Sequence, residues 1–357
     1  MPNSRPRAIH GSGIEVDGPD EADDLEALME GYDPRRGARS IDSRDGGRSM
    51  QRRGQNIRKG FLKGILPFIR WLPLTTASGL LSGFGKLEYR LHKHLRKAFQ
   101  QAVSEARETL DCDWDVPAIS QELAGNQILW RTRDMLLDGV SDQRAEGMFR
   151  ISGREHLDAA IAQGKGCMVL TSHFGAHMLP AHWLYRHDYP LRLYMERPHS
   201  VSRFMSRRFV SEGPLSQDKL FISRKGGSKD AASSILRASR VLRAGMLLFL
   251  AGDVRWSGQM TEQAQFLGRT LRFSTTWIVL ASLSEAPVVI VYCRIGPDRR
   301  YHIDFHPPFH VPKDAQQQGQ TGYWVQHFMH VLEQQIRLHP TNSNDYLFWS
   351  ENEDQVA

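Results

Sequence analysis

The stretch GCMVLTSHFG at residues 166–175 consists of a short apolar run followed by a polar turn that contains a histidine. An apolar run of this length, bounded by glycine and a polar pair, is typical of a buried strand. His173 then follows the carboxyl end of the predicted strand. Because α/β sheets place reactive groups in the crevice beyond their strand ends, His173 is a candidate active-site residue. From its position alone, His173 could equally hold a loop by hydrogen bonds.

Further apolar runs and helical patterns alternate along the chain. The strand-like runs are residues 191–195, 220–223, 246–251 and 288–293, and the helical patterns are residues 119–160, 201–211, 229–244 and 274–285. This alternation predicts an α/β sheet flanked by helices.

The composition divides the chain into four regions. Residues 1–56 are rich in Gly, Arg, Asp and Ser and show no period that could bury a face, which predicts a disordered charged tail. Residues 57–110 are predicted to form an amphipathic or interfacial helical hairpin, residues 111–350 the α/β domain, and residues 351–357 a short tail. No apolar stretch near the start could act as the core of a signal peptide.

The predicted hairpin is apolar and aromatic at residues 61–87 and basic at residues 88–110. Pro67, Arg70 and Pro73 interrupt the apolar part, which argues against a membrane-spanning helix. Two interpretations remain open. The hairpin could lie in the membrane interface with Trp71 at headgroup level, or it could pack as a helix pair on the domain.

The charge of the chain favours an anionic partner. The formal net charge is +6 and the isoelectric point is near 9.3, which suits a phospholipid surface, an acidic carrier protein or a nucleic acid. Nucleic-acid binding is not expected, because the basic residues are not interleaved with aromatics in a recognised module. The cysteines, Cys112, Cys167 and Cys293, form no CxxC pair, so neither a disulfide framework nor a thiolate zinc site is indicated.

Several short motifs occur in a characteristic order. They are Leu72-Pro73-Leu74, Ser172-His173-Phe174-Gly175, Arg197-Pro198, Asp253, Phe266-Leu267-Gly268, Thr275-Thr276, Ala286-Pro287-Val288-Val289, Pro307-Pro308 and Tyr346-Leu347-Phe348-Trp349. In order and spacing, the chain resembles the late lipid A (lauroyl/myristoyl) acyltransferases, within the lysophospholipid acyltransferase superfamily.

The resemblance implies a glycerolipid acyltransferase-like fold, with a mixed, mostly parallel sheet preceded by a membrane-associating hairpin. It implies transfer of an acyl chain from a thioester, on acyl-carrier protein or coenzyme A, to a hydroxyl of a membrane (glyco)lipid. His173 would be the general base and no cofactor would be tightly bound. The protein would be peripheral, on an anionic membrane at the cytoplasmic face of the inner membrane.

One position departs from the family pattern. The family's histidine is normally followed five positions later by Asp or Glu, whereas this chain has Met178 there. A thioether cannot stabilise an imidazolium. His177 and Asp253 are candidate replacements, and Asp253 is preferred because only a carboxylate supplies a counter-charge. Asp253 could alternatively be a helix-cap or turn residue.

Candidate substrate-binding residues are basic, because a guanidinium binds phosphate oxygens in pairs. They are Arg197, Arg255, Arg224 and Lys225.

Two rival functions remain. The absence of an acid at position 178 favours a non-catalytic relative that binds lipid or a partner. His173 and His177 have the i, i+4 spacing of a metal-dependent hydrolase, but no Glu lies between them.

Overall fold

The computed structural model describes residues 71–347, except 198–202, 210–212, 214, 223–227 and 256–259. The predicted tails, the first part of the predicted hairpin, and the candidate site residues Arg224 and Lys225 lie outside the described residues.

The main sheet is mixed and mostly parallel, as predicted. Its strands are β1 Phe149–Ser152, β2 Cys167–Thr171, β3 Leu191–Leu193, β4 Leu247–Ala251, β7 Val288–Ile295 and β8 Tyr301–Phe305. The order across the sheet is β1-β8-β7-β2-β4-β3. Only the β7–β8 pair is antiparallel. A separate antiparallel hairpin joins β5 Thr261–Phe266 to β6 Arg269–Ser274.

Helices precede the sheet and connect its strands. Their bounds are α1 Leu74–Leu91, α2 Lys93–Leu110, α3 Val116–Leu137, α4 Asp142–Glu146, α5 Arg154–Ile161, α6 Leu179–Arg186, α7 Arg203–Phe209, α8 Gln217–Leu220, α9 Ser228–Arg243, α10 Thr276–Ser284, α11 Thr321–Leu338 and α12 Asn344–Leu347. A short 3-10 turn, Pro340–Asn342, precedes α12. Every residue of β2 is buried, as expected for a central parallel strand covered on both faces.

Helices α1 and α2 fall within the predicted hairpin. One face of α1 packs closely on α3, because Gly85 has no side chain: a Cβ there would lie 2.4 Å from the carbonyl oxygen of Ala124. Another face exposes Leu80, Leu87 and Leu91. Helix α1 therefore packs on the domain with one side and presents leucines with another. No helix in the described part of the chain is long and apolar enough to cross a membrane.

The structure corrects two of the secondary-structure predictions and contains one hairpin that was not predicted. Residues 149–152, predicted as helix, form strand β1 at an edge of the sheet; with only four residues between helical segments, the strand is too short to stand out from the helical pattern around it. Residues 220–223 were predicted as a strand, but Leu220 ends α8 and Ile222 makes only an isolated bridge to Glu196, while residue 223 lies outside the described residues. The β5–β6 hairpin was not predicted, because each of its strands has only two buried residues and neither contains a continuous apolar run.

Candidate active site

The loop that carries His173 is fixed by the residue that follows Phe174. Gly175 has φ +60°, and a Cβ there would lie 2.2 Å from the carbonyl oxygen of Cys293 in β7. Glycine is therefore required by both conformation and space. The Gly175 N–H donates to the carbonyl oxygen of Asn342 at 2.8 Å. These contacts hold the loop at the carboxyl end of β2.

Asp253 reaches His173 from the neighbouring strand. Thr171 and Ala251 pair at the ends of β2 and β4, and each candidate residue follows its strand by the same offset. Both carboxylate oxygens of Asp253 lie 3.1 Å from Nδ1 of His173. The backbone N–H of His173 also donates to Oδ2 of Asp253 at 3.0 Å. The structure therefore places the carboxylate that was proposed to replace the missing acid directly against the imidazole.

Asp253 is held in its ionised form. Only 1% of the residue is exposed, and this burial by itself would raise the pKa of Asp253. The nearby His173 and the hydrogen bonds from His173 and Tyr346 outweigh burial, so the pKa of Asp253 lies below its ordinary value. Because an ionised carboxylate can only accept hydrogen bonds, Nδ1 of His173 must carry the proton. In the neutral imidazole, Nε2 is then unprotonated and can act as a base.

The His173 side chain is 43% exposed, whereas Asp253 lies beneath it. A reactant can therefore approach the imidazole while the carboxylate stays shielded from water. The ring of His177 lies with its centroid 4.9 Å from that of His173. Tyr292 of β7 is buried nearby, and burial together with the negative charge of Asp253 raises its pKa well above the ordinary value.

The geometry around His177 differs from that of a helical metal site. His173 and His177 precede α6, which begins at Leu179, so they do not share a helical face. Within the described ranges, no group of three or more His, Cys, Asp or Glu side chains could hold a metal ion. Met178 is the N-cap residue of α6 and packs, partly buried, against the hydrophobic core.

The other candidate residues are less closely tied to this pair. Arg197 is exposed and forms an ion pair with Asp218 at 2.9 Å. Arg255 follows Asp253 closely in the chain, is partly buried, and makes an isolated backbone bridge to Phe273 of β6. Asp253 therefore contacts His173 in the structure. The role of Arg197 and Arg255 in phosphate binding stays a prediction.

Two site residues had no assigned role in the sequence analysis. Tyr346 donates its hydroxyl to Oδ2 of Asp253 at 2.7 Å, although the two residues are far apart in the chain. Asn342 accepts from the His173 loop through its backbone oxygen. The only available signal was that Tyr346 opens the closing Tyr-Leu-Phe-Trp motif.

Comparison with known families agrees with the observed fold. The family described as bacterial lipid A biosynthesis acyltransferase matches residues 61–348, and the chain belongs to this family. The family consists of acyltransferases of lipid biosynthesis, whose substrates are an acyl donor and a lipid acceptor. A comparison with curated proteins gave no significant match.

Proposed function

We propose that the protein is an O-acyltransferase that moves a fatty acyl chain from a thioester donor to a hydroxyl of a membrane (glyco)lipid, with His173 as general base. The observation that carries the proposal is the His173–Asp253 pair, in which Nδ1 faces a buried carboxylate while the imidazole is partly exposed. The donor would be acyl-carrier protein or coenzyme A, and no tightly bound cofactor is needed.

The chemistry follows from the orientation of the imidazole. Nε2 of His173 would take the proton of the acceptor hydroxyl as its oxygen attacks the thioester carbonyl carbon. A carbon–oxygen bond forms, the carbon–sulfur bond breaks, and the departing thiolate takes the proton back from the imidazolium. Asp253 would stabilise the imidazolium while it exists, since the carboxylate lies within hydrogen-bond distance of Nδ1.

The same geometry bears on the rival interpretation, a non-catalytic relative that binds lipid or a partner. That interpretation rests on Met178 in place of the family's acid. Asp253 supplies a counter-charge from the end of β4, so the change at position 178 does not leave the imidazole without one. This supports a working enzyme over a binding protein.

Lipid analysis is the experiment that tests the proposed function. Cells lacking the gene should accumulate a lipid that is short of one acyl chain, as detected by mass spectrometry. The purified protein should transfer an acyl chain to that lipid from acyl-carrier protein or coenzyme A. A purified, folded protein that binds the lipid but transfers nothing from either donor would favour the binding-protein interpretation.

We also propose that the protein attaches peripherally to an anionic membrane at the cytoplasmic face. Leu80, Leu87 and Leu91 share an exposed face of α1, and Trp71, which precedes the helix, is 89% exposed. Their spacing of seven and four residues places the leucines on one helical face. Exposed basic residues lie beside this face, at the end of α1 and the start of α2: Arg90, Lys93 and Lys97. Apolar insertion and attraction to anionic headgroups would act together there.

Replacing Leu80, Leu87 and Leu91 together by glutamine should weaken binding to phosphatidylglycerol-containing vesicles by at least about tenfold, because burial of even one leucine contributes on the order of 1.5 kcal/mol. Co-sedimentation measures this change. Salt should weaken binding further, because it screens the basic residues. The control replaces leucines that are exposed elsewhere, Leu236, Leu283 and Leu338, by glutamine. Equal binding by both triple variants would contradict the proposal.

A further inference from the structure

The segment of residues 340–347, here called the closing segment, contacts both halves of the candidate site. On one side, the Asn342 backbone oxygen accepts from Gly175 N–H, and its side-chain Oδ1 accepts from Ile295 N–H at 2.8 Å. On the other side, Tyr346 donates to Asp253. One short segment therefore fixes the His173 loop and the carboxylate that faces it.

Packing holds the Tyr346 hydroxyl in place. The residue is only 2% exposed, and its ring meets that of Phe266 edge to face at 5.5 Å. Phe266 is itself fully buried and makes an edge-to-face contact with Phe273 at 6.1 Å. The Tyr346 N–H donates to Ser343 at 3.0 Å, which fixes the backbone. The β5–β6 hairpin thus packs against the Tyr346 ring and holds its hydroxyl within hydrogen-bond distance of Asp253.

The hydrogen bonds at Asp253 are unequally divided between its oxygens. Oδ2 accepts from Tyr346 and from the His173 backbone, and it also lies 3.1 Å from Nδ1. Oδ1 lies 3.1 Å from Nδ1. Tyr346 is therefore the donor that restrains the carboxylate from outside the His173 loop. Without it, the contacts described above would leave the carboxylate held only by the residue that it orients.

We infer that Tyr346 is a positioning residue for acyl transfer. Its hydroxyl holds the Asp253 carboxylate against Nδ1 of His173 and weakens the attraction of that carboxylate for the imidazole proton. The inference rests on the proposed function of His173. A donor on a carboxylate spreads its negative charge, and hydrogen bonding to the charged form favours that form. Its removal makes the carboxylate more basic, so the imidazolium of His173 becomes more stable.

The direction of the expected pH effect follows from this change. Among the described residues, the titratable groups that interact with Asp253 are His173, Tyr292 on β7 and Tyr346 on the closing segment, and the ring of His177 lies against that of His173. A general base must be neutral to take a proton. If loss of the Tyr346 hydroxyl makes His173 easier to protonate, the acid limb of the rate profile moves to higher pH.

The test compares Tyr346→Phe with a matched control, Tyr194→Phe. Tyr194 is also buried, and its hydroxyl hydrogen-bonds Ser234 at 2.9 Å. NMR titration of labelled histidine, with His173→Gln to assign the resonance, measures the pKa of His173. Tyr346→Phe should raise this pKa by about half a unit or more, whereas Tyr194→Phe should not change it. The acyl-transfer rate of Tyr346→Phe should fall about threefold to tenfold, and its acid limb should move upward.

If Tyr346→Phe does not fold, Phe266→Leu loosens the same ring while keeping the hydroxyl, and it should shift the His173 pKa in the same direction by less. A folded Tyr346→Phe protein with an unchanged His173 pKa and pH profile would overturn the positioning role. The NMR readout does not require turnover, so it separates failure of this inference from failure of the proposed acyltransferase activity.

Discussion

Replacing His173 by alanine should lower the rate of acyl transfer by about 10²–10⁴-fold, the range expected when general acid–base catalysis is lost. Among the described residues, His173 is the histidine at the carboxyl end of the central strand whose partly exposed imidazole faces a buried, ionised carboxylate. The fold should survive, because the side chain is 43% exposed and its removal opens no sealed cavity. Transfer rates with acyl-carrier-protein and coenzyme A thioesters, together with the melting temperature, measure the two effects.

The chain offers a matched control for this substitution. His302 also hydrogen-bonds an aspartate, with Nε2 2.9 Å from Oδ1 of Asp298, but it lies on β8 beyond β7. His302→Ala should keep the transfer rate within about threefold, since a substitution away from the reacting atoms removes no transition-state interaction. Full activity in folded His173→Ala would show that another group is the base. A rate lost equally in both variants would indicate a general structural effect.

The central strands were predictable because burial on both faces makes them continuous apolar runs. The patterns at residues 166–171, 246–251 and 288–293 correspond to β2, β4 and β7. Edge elements carry a weaker signal. Strand β1 is four residues long and pairs with β8 alone. Because part of the strand is exposed to solvent, it contains polar residues, and the helical pattern on either side of it is the stronger signal. The helical assignment of residues 119–160, which holds for most of that range, failed at residues 149–152 for this reason.

The candidate site could be predicted in part. His173 was visible because it follows a buried strand, and Asp253 because it follows another. That the two side chains meet depends on β2 and β4 being neighbours in the same register, which no short-range pattern specifies. The contacts of Tyr346 and Asn342 were not predictable, because they depend on where α11 returns the end of the chain.

Replacing Asp253 by asparagine should lower acyl transfer by about 10²–10⁴-fold, close to the loss in His173→Ala. The asparagine oxygen would still accept from Tyr346 and the His173 backbone, which directs the amide NH₂ toward Nδ1. Nδ1 would then have to accept, the proton would move to Nε2, and the imidazole could no longer take a proton from the acceptor hydroxyl. The counter-charge for the imidazolium would be lost as well. Steady-state rates and an NMR assignment of the His173 tautomer measure both consequences.

The control for this substitution is Asp298→Asn, which changes the carboxylate that pairs with His302 and should leave the transfer rate nearly unaltered. Met178→Glu introduced into the Asp253→Asn protein provides a second arm. If a carboxylate at position 178 can contact the imidazole of His173, this double variant should recover part of the lost rate, because a carboxylate again supplies the counter-charge. Full activity of folded Asp253→Asn alone would contradict the role of Asp253 while leaving His173 as a candidate base.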